Sequence, residues 1–307
     1  MASGQVSGFL IINKPKGITS HDVVARIRKL SGQRKVGHTG TLDPMATGVL
    51  LVCLGQATRL IEYMVTSRKQ YRAIIRFGVS TNTHDAEGNI TAQSNASTLT
   101  TPEIKATLPQ FTGEIQQIPP VFSAIKQNGQ PLYKRARAGE PIEVSPRSVT
   151  IYSLDWVNWE TPDLTLNVTC SSGTYIRSLA RDLGDAVGTG AHLAGLIRTA
   201  NGQWTLEQAV SLETLENAGQ SNWKQFLHPP DQAIRHLPSV QLNNETAQHI
   251  IYGQQIELSP TIANQPTENK TPPQLLRAYT SNGKFLAILQ SVNPQENSWK
   301  PKKVFLA

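Results

Sequence analysis

The sequence predicts an α+β fold: a mixed sheet with flanking helices, followed by a small, mostly β unit. Three observations point there. Apolar residues alternate with polar ones over Tyr71 to Phe77 and over Leu164, Leu166, Val168 and Cys170, the pattern of half-buried strands. Helical spacing appears in Val23, Val24, Ile27 and Leu30, and again in Ile176, Leu179, Leu183 and Val187. The two patterns do not follow the regular strand–helix–strand order that a doubly wound sheet requires. From about residue 237 the texture shifts to short strand-like runs between turns. A chain of 307 residues accommodates a large domain, 1–236, and a small one, 237–307.

Gly8 to Ile12 reads as a buried strand ending in the turn Asn13-Lys14-Pro15-Lys16-Gly17. Ser20 then caps a helix with Arg26, Arg28 and Lys29 on its polar side and Arg34 and Lys35 just beyond. Val49 to Leu54 is a continuous apolar run, a strand or the start of a buried helix. Residues 91–101 are rich in Ser, Thr and Asn and read as loop; Glu103 to Phe111 reads as helix. The stretch 115–147 departs from the core. It holds Pro119-Pro120, the turn signals Asn128-Gly129 and Ala138-Gly139-Glu140-Pro141, and the cations Lys126, Lys134, Arg135, Arg137 and Arg147. The helix after Ser171-Ser172-Gly173-Thr174 ends at Gly188, and Leu193, Leu196 and Ile197 mark a second helical piece. Residues 260–273 are polar, hold four prolines and read as loop. Leu275 to Tyr279 and Lys284 to Leu289 flank Asn282-Gly283 as a β-hairpin, and Trp299 to Leu306 is a last, lysine-bearing strand.

Composition excludes several classes. No apolar run is long enough to span a bilayer, and Phe9 to Ile12 is too short for a signal-peptide core. Cys53 and Cys170 form no C-x-x-C pair, so no zinc site is expected, and two buried free thiols suit a reducing cytoplasm. The net charge of +7 favours a polyanionic partner such as nucleic acid.

The most unusual segment is Gly37-His38-Thr39-Gly40-Thr41-Leu42-Asp43-Pro44-Met45-Ala46-Thr47-Gly48. Gly40 and Gly48 open backbone conformations closed to other residues, and Pro44 keeps Asp43 out of helical geometry. Such a loop either holds a carboxylate rigidly for chemistry or uses it as a turn or cap residue. It lacks the Gly-Lys-Ser/Thr of a phosphate-binding loop.

This segment, with Val49-Leu50, resembles the signature of the TruB-type pseudouridine synthases. Four further blocks resemble that family in order: Leu10 to Gly17, Tyr71-Arg72-Ala73, Ile118-Pro119-Pro120-Val121-Phe122-Ser123-Ala124-Ile125-Lys126, and Gly173-Thr174-Tyr175-Ile176-Arg177-Ser178-Leu179. The resemblance spans about residues 8–200; the C-terminal part is similar, less specifically, to a PUA-like RNA-binding domain. It implies a pseudouridine-synthase-like sheet and an isomerase that converts uridine 55 of the tRNA T-loop to pseudouridine. No cofactor or metal is implied, because the reaction is neither a redox step nor a transfer between molecules.

The resemblance also assigns residues. Asp43 is the catalytic carboxylate, attacking C1′ or removing a sugar proton, and Arg177 is its cationic partner. Arg177 falls in the first turn of its helix, where the helix dipole disfavours a cation, an independent hint of an anionic neighbour. Tyr71 stacks on uracil with its hydroxyl near C5, the alternative being an aromatic packed on the sheet. His38 fills the place of the flipped base, or is a buried hydrogen-bonded histidine. Tyr175, Lys126 and Lys14 are assigned to substrate, with core packing equally open for Tyr175. Asp85 extends the Asp43–Arg177 network or caps a turn. Segment 126–137 closes over RNA. The implied partner is the T-arm of tRNA, bound by a monomer without guide RNA, protein partner or membrane. A tRNA-binding or folding protein without catalysis would use the same basic surfaces but has no need of an Asp near phosphate.

Overall fold

The computed structural model describes residues 6–65, 68–123, 125–127, 129–259, 274–293 and 297–305. Its centre is a mixed sheet. In spatial order its strands are Val210–Ser211, Gly8–Lys14, Thr47–Leu54, Ala191–Asn201, Lys69–Phe77, Asp163–Cys170, Arg147–Glu160 and Gly113–Gln117. Val36–His38 adds to Thr47–Leu54, and Trp204–Thr205 to Ala191–Asn201. Gly8–Lys14 with Val210–Ser211 and Thr47–Leu54 with Ala191–Asn201 run parallel, and the remaining neighbours are antiparallel.

Lys69–Phe77 has the alternation its sequence predicts: residues 69, 71, 73, 75 and 77 are buried and the four between them exposed. The buried side packs under the helix Ile176–Ala186, whose Ile176, Leu179, Ala180 and Leu183 close one core. A second core lies beneath the helix Ser20–Ser31, through Val23, Val24 and Ile27. Truncating a residue such as Ile75 to Ala would cost about 2–5 kcal/mol.

Several expectations are corrected. The cap of the first helix is Thr19, which forms a capping box with Asp22; Ser20 is the first helical residue and is buried. Leu193, Leu196 and Ile197 lie not in a helix but in the strand Ala191–Asn201. A bulge between Leu193 and Gly195 inserts one residue, so Leu193 faces Ile75 and Leu196 faces Ala73 on the same buried side. That three-residue spacing mimics a helical one. Ile90–Gln93, which overlaps the start of the segment 91–101 read as loop, pairs antiparallel with Val79–Thr81. Arg147–Glu160, which has no clean alternation, is the longest strand, and it too carries bulges. The excursion is narrower than 115–147: Gln117 pairs with Arg147, so the chain leaves the sheet edge at 118 and rejoins it after 146.

Ser239–Gln241, Leu275–Tyr279, Phe285–Asn293, Ser298–Val304 and Ile256–Glu257 form a second sheet, in that order. The Asn-Gly hairpin is present between Leu275–Tyr279 and Phe285–Asn293. The loop 260–273 and Leu306 lie outside the described residues. Ile288 and Phe305 share an apolar cluster with Leu60, Tyr63, Met64, Trp204 and Ile234 of the first unit. Around it, Arg59 donates to the Val304 carbonyl at 2.6 Å, and Lys303 donates to the Arg59 carbonyl and pairs with Glu62. No helix among the described residues is long and apolar enough to cross a membrane.

Candidate active site

Asp43 opens a tight turn. Its carbonyl accepts from the Ala46 N–H at 3.0 Å, with Pro44 supplying the fixed backbone angle at the next position. The turn is held from below. Lys14, 0% exposed, donates to the carbonyls of Ile18 at 2.7 Å, Pro15 at 2.9 Å and Pro44 at 3.3 Å. The Gly17 N–H donates to the same Pro44 carbonyl at 2.8 Å. The Ser20 hydroxyl accepts from the Leu42 N–H at 2.8 Å and lies 3.2 Å from the Leu42 carbonyl. Asn201 donates to the Thr39 hydroxyl at 3.1 Å. Gly48 has φ 103°, and a Cβ there would meet the Arg198 carbonyl at 2.2 Å, so no other residue fits.

Arg177 meets this turn from the start of the helix Ile176–Ala186, and its side chain is 6% exposed. Nη2 donates to Asp43 Oδ1 at 3.2 Å, and Nε lies 3.1 Å from Oδ2 as an ion pair without an aligned hydrogen bond. On the other side Nη1 lies 3.3 Å from Asp85 Oδ2 and donates to the Thr83 carbonyl at 3.2 Å. Two carboxylates thus offset the unfavourable position of a cation at a helix start. Asp85 does both things left open for it: Oδ2 faces Arg177, while Oδ1 caps its own turn by accepting from the Thr83 hydroxyl at 2.6 Å and the Glu87 N–H at 3.1 Å.

Burial pushes the Asp43 carboxyl above its ordinary pKa; Arg177 pulls it back, Asp85 raises it and Lys14 lowers it. Asp43 keeps 32% of its side-chain surface exposed, so the carboxylate is both paired and reachable.

Tyr71 projects from Lys69–Phe77 into the cluster that holds Leu42, Met45 and Ala46, within electrostatic reach of Asp43. Burial raises its phenol pKa, and the Arg198 guanidinium opposes the rise. His38 Nδ1 accepts from the Gly40 N–H at 3.3 Å, and its ring meets His21 edge-on at 5.4 Å. Burial, with His21 and Arg198 adding, lowers its pKa to about 4, so the ring is neutral at physiological pH. Tyr175 is half-buried; its N–H and carbonyl are both held by the side chain of Gln117, at 2.7 and 3.0 Å. Lys14 lies beneath the loop and is buried. The backbone of Lys126 lies in a two-residue strand opposite Gln130–Pro131, and its side chain is outside the described part.

The block at 118–122 joins the site through carbonyls. Phe122 accepts from Arg177 Nη2 at 2.9 Å, and Ile118 accepts from the Ser178 hydroxyl at 2.8 Å. Ser20, Gln117, Arg198 and Asn201 carried no readable signal, because each acts on atoms far away in the chain. Among the described residues no group of three or more His, Cys, Asp or Glu side chains is placed to hold a metal.

The chain matches known proteins. The model for the N-terminal domain of the TruB family pseudouridylate synthases matches residues 28–176, and that for the tRNA pseudouridylate synthase B C-terminal domain matches 177–235. The chain is similar to "tRNA pseudouridine synthase B" of Pseudomonas aeruginosa, 45% identical over 289 residues, which are 92% of this chain and 91% of that one. It is also similar to the protein of that name from Synechocystis sp., 49% identical over 254 residues, 82% of this chain and 86% of that one. A solved chain in the "Crystal Structure of a Cbf5-Nop10-Gar1 Complex" superposes with a TM-score of 0.71 at 26% identity, covering 97% of this chain and 85% of that one. With two family models in tandem and relatives of this identity over most of its length, the chain belongs to the TruB family of pseudouridylate synthases and is an isomerase.

Proposed function

We propose that the chain converts uridine 55 in the T-loop of tRNA to pseudouridine, acting as a monomer in the cytoplasm, with Asp43 as the catalytic carboxylate. The observation that carries this reading is the paired yet reachable Asp43, held against Arg177, which Asp85 holds from its other side. The names of the relatives support tRNA as the substrate class.

The reaction breaks N1–C1′, turns the uracil and joins C5 to C1′; the C5 proton then leaves and its electron pair restores the ring double bond. Attack on C1′ and removal of a sugar proton both need an ionised carboxylate beside the sugar. Arg177 favours that charge and aims it with a planar fork. The base must first leave its stack, at a cost of a few kcal/mol. A neutral His38, an aromatic ring without charge to desolvate, suits the vacated place. Tyr71 stacks on the extruded uracil with its hydroxyl towards C5. The second sheet and the basic excursion would take phosphates.

The test is incubation of the full chain with an unmodified tRNA transcript, without added metal or nucleotide, followed by mapping of pseudouridine. A single product at position 55 is expected. A product elsewhere, or released uracil with an abasic site, would defeat the reading, and tight binding without product would leave a tRNA-binding protein in its place.

A further inference from the structure

We propose that Arg198 is a positioning residue: it clips together the two ends of the Asp43 loop and keeps the Tyr71 phenol in register with them. The proposal rests on Asp43 as the catalytic carboxylate.

Arg198 lies on the central strand Ala191–Asn201, with Gly48 as its partner on one neighbouring strand and Tyr71 on the other. Its strand position therefore joins the loop's end to the tyrosine. The residue is 1% exposed. Nε donates to the Val49 carbonyl at 2.6 Å and Nη2 to the Gly40 carbonyl at 3.1 Å. One carbonyl precedes Asp43 and the other follows it. A planar guanidinium spans both; an ammonium, with its donors on one atom, would not.

Among the described residues no carboxylate pairs with Arg198. A buried cation held only by carbonyls and a phenol is costly to desolvate, and packing alone would be met as well by an apolar side chain. The charge reaches four groups of the site. It opposes the upward push of burial on Tyr71, where Cys170 and Asp43 act the other way. It also lowers Lys14, His38 and Lys69, for each of which burial is the larger cause. Arg177 favours the charge of the catalytic carboxylate; Arg198 sets where that carboxylate and the phenol stand relative to each other.

The experiment uses the full-length protein carrying Arg198→Lys, Arg198→Met or Asn201→Ala, beside Asp43→Asn. Asn201 is the matched control, because it ties the same loop from the same strand without charge. Single-turnover pseudouridine formation, filter binding of tRNA and thermal melting are measured on the same preparations. Arg198→Lys is expected to lose about 100-fold in rate, the scale of a misplaced catalytic group, with tRNA affinity nearly unchanged. In Arg198→Met the alkaline part of the rate–pH profile should move upward, as the phenol loses its nearby cation; Arg198→Lys should move it less. Asn201→Ala, at a comparable loss of melting temperature, should keep more activity than either and leave the profile in place. The proposal is overturned if folded Arg198→Lys retains nearly wild-type rate. It is equally overturned if, at matched melting temperature, the Arg198 and Asn201 variants lose the same activity with unshifted profiles. Full activity in Asp43→Asn would remove the parent reading and this one with it.

Discussion

The loop around Asp43 and the excursion 118–146 meet at Arg177, and they are built in opposite ways. The loop is short and tied at nearly every turn by buried side chains: Lys14 on Pro44, Ser20 on Leu42, Asn201 on Thr39. The excursion is tied at its root, where Ile118 and Phe122 meet the helix of Arg177. Further along, its ion pair and side-chain hydrogen bonds are local: Arg135 with Glu140 at 2.6 Å and with Gln127 at 2.7 Å. Chemistry on one atom needs sub-ångström placement, whereas a folded RNA needs charge that adjusts to its backbone. Substitutions in the loop should therefore act on turnover, and substitutions in the excursion on affinity.

The largest expected effect is that of Asp43→Asn. Single-turnover formation of pseudouridine should fall by several orders of magnitude, because both routes need the carboxylate. Affinity for tRNA, read by filter binding, should stay close to wild type. The melting temperature should not fall. A carboxyl whose pKa is raised on folding contributes stability below its unfolded value and loses it as pH rises through the folded value, so at neutral pH the charge is a burden. A variant that melts early as well as failing to turn over would erase the contrast with the excursion.

Next comes Lys14→Met, which removes the side-chain donor to the Pro15 and Ile18 carbonyls and one of the two donors to Pro44. Destabilisation on the order of 1–3 kcal/mol is expected in denaturant melts, with turnover reduced and tRNA affinity kept. A raised Kd with intact turnover would return Lys14 to the substrate surface.

A smaller effect is expected from Lys134→Glu in the excursion. Affinity should weaken while single-turnover rate at saturating protein holds, and the slope of log affinity against log salt should become shallower by about one. An unchanged slope would mean that the excursion does not meet phosphate.

The smallest effect concerns pH. Burial lowers the pKa of both His38 and His84 to about 4. Their neutral forms contribute stability that is present above the unfolded value of about 6.5 and is lost as pH falls from there towards 4. Thermal melts across that window should show a falling midpoint, and His84→Asn should flatten part of the fall. His84 also has a left-handed backbone, φ 60°, which Asn tolerates better, so the variant tests titration without adding strain.

What could be read from sequence was what local pattern determines. Lys69–Phe77, Asp163–Cys170 and the helix Ile176–Ala186 announce themselves by period, and Arg177 by a charge at the wrong end of a helix. Asp43 was visible because glycine and proline crowd around it. The strand Ala191–Asn201 was misread because its bulge gives Leu193 and Leu196 the spacing of a helix. Arg147–Glu160 was hidden for a related reason, since two register shifts interrupt its alternation. Ser20, Gln117, Arg198 and Asn201 were illegible: each bonds a group far away in the chain, and only the assembled sheet brings them within reach.

The pairing of Gln117 with Arg147 makes the excursion a detachable part. Its two ends emerge from facing positions at the last rung of an edge hairpin, so the sheet does not depend on what lies between them. The contacts with Arg177 and Ser178 stop at Phe122, which places the seam between the frame of the site and the rest of the excursion just after it. Lineages could lengthen, shorten or exchange the stretch from 125 to 146 without disturbing Asp43. The same seam offers an engineer a place to graft a different RNA grip onto an unchanged isomerase.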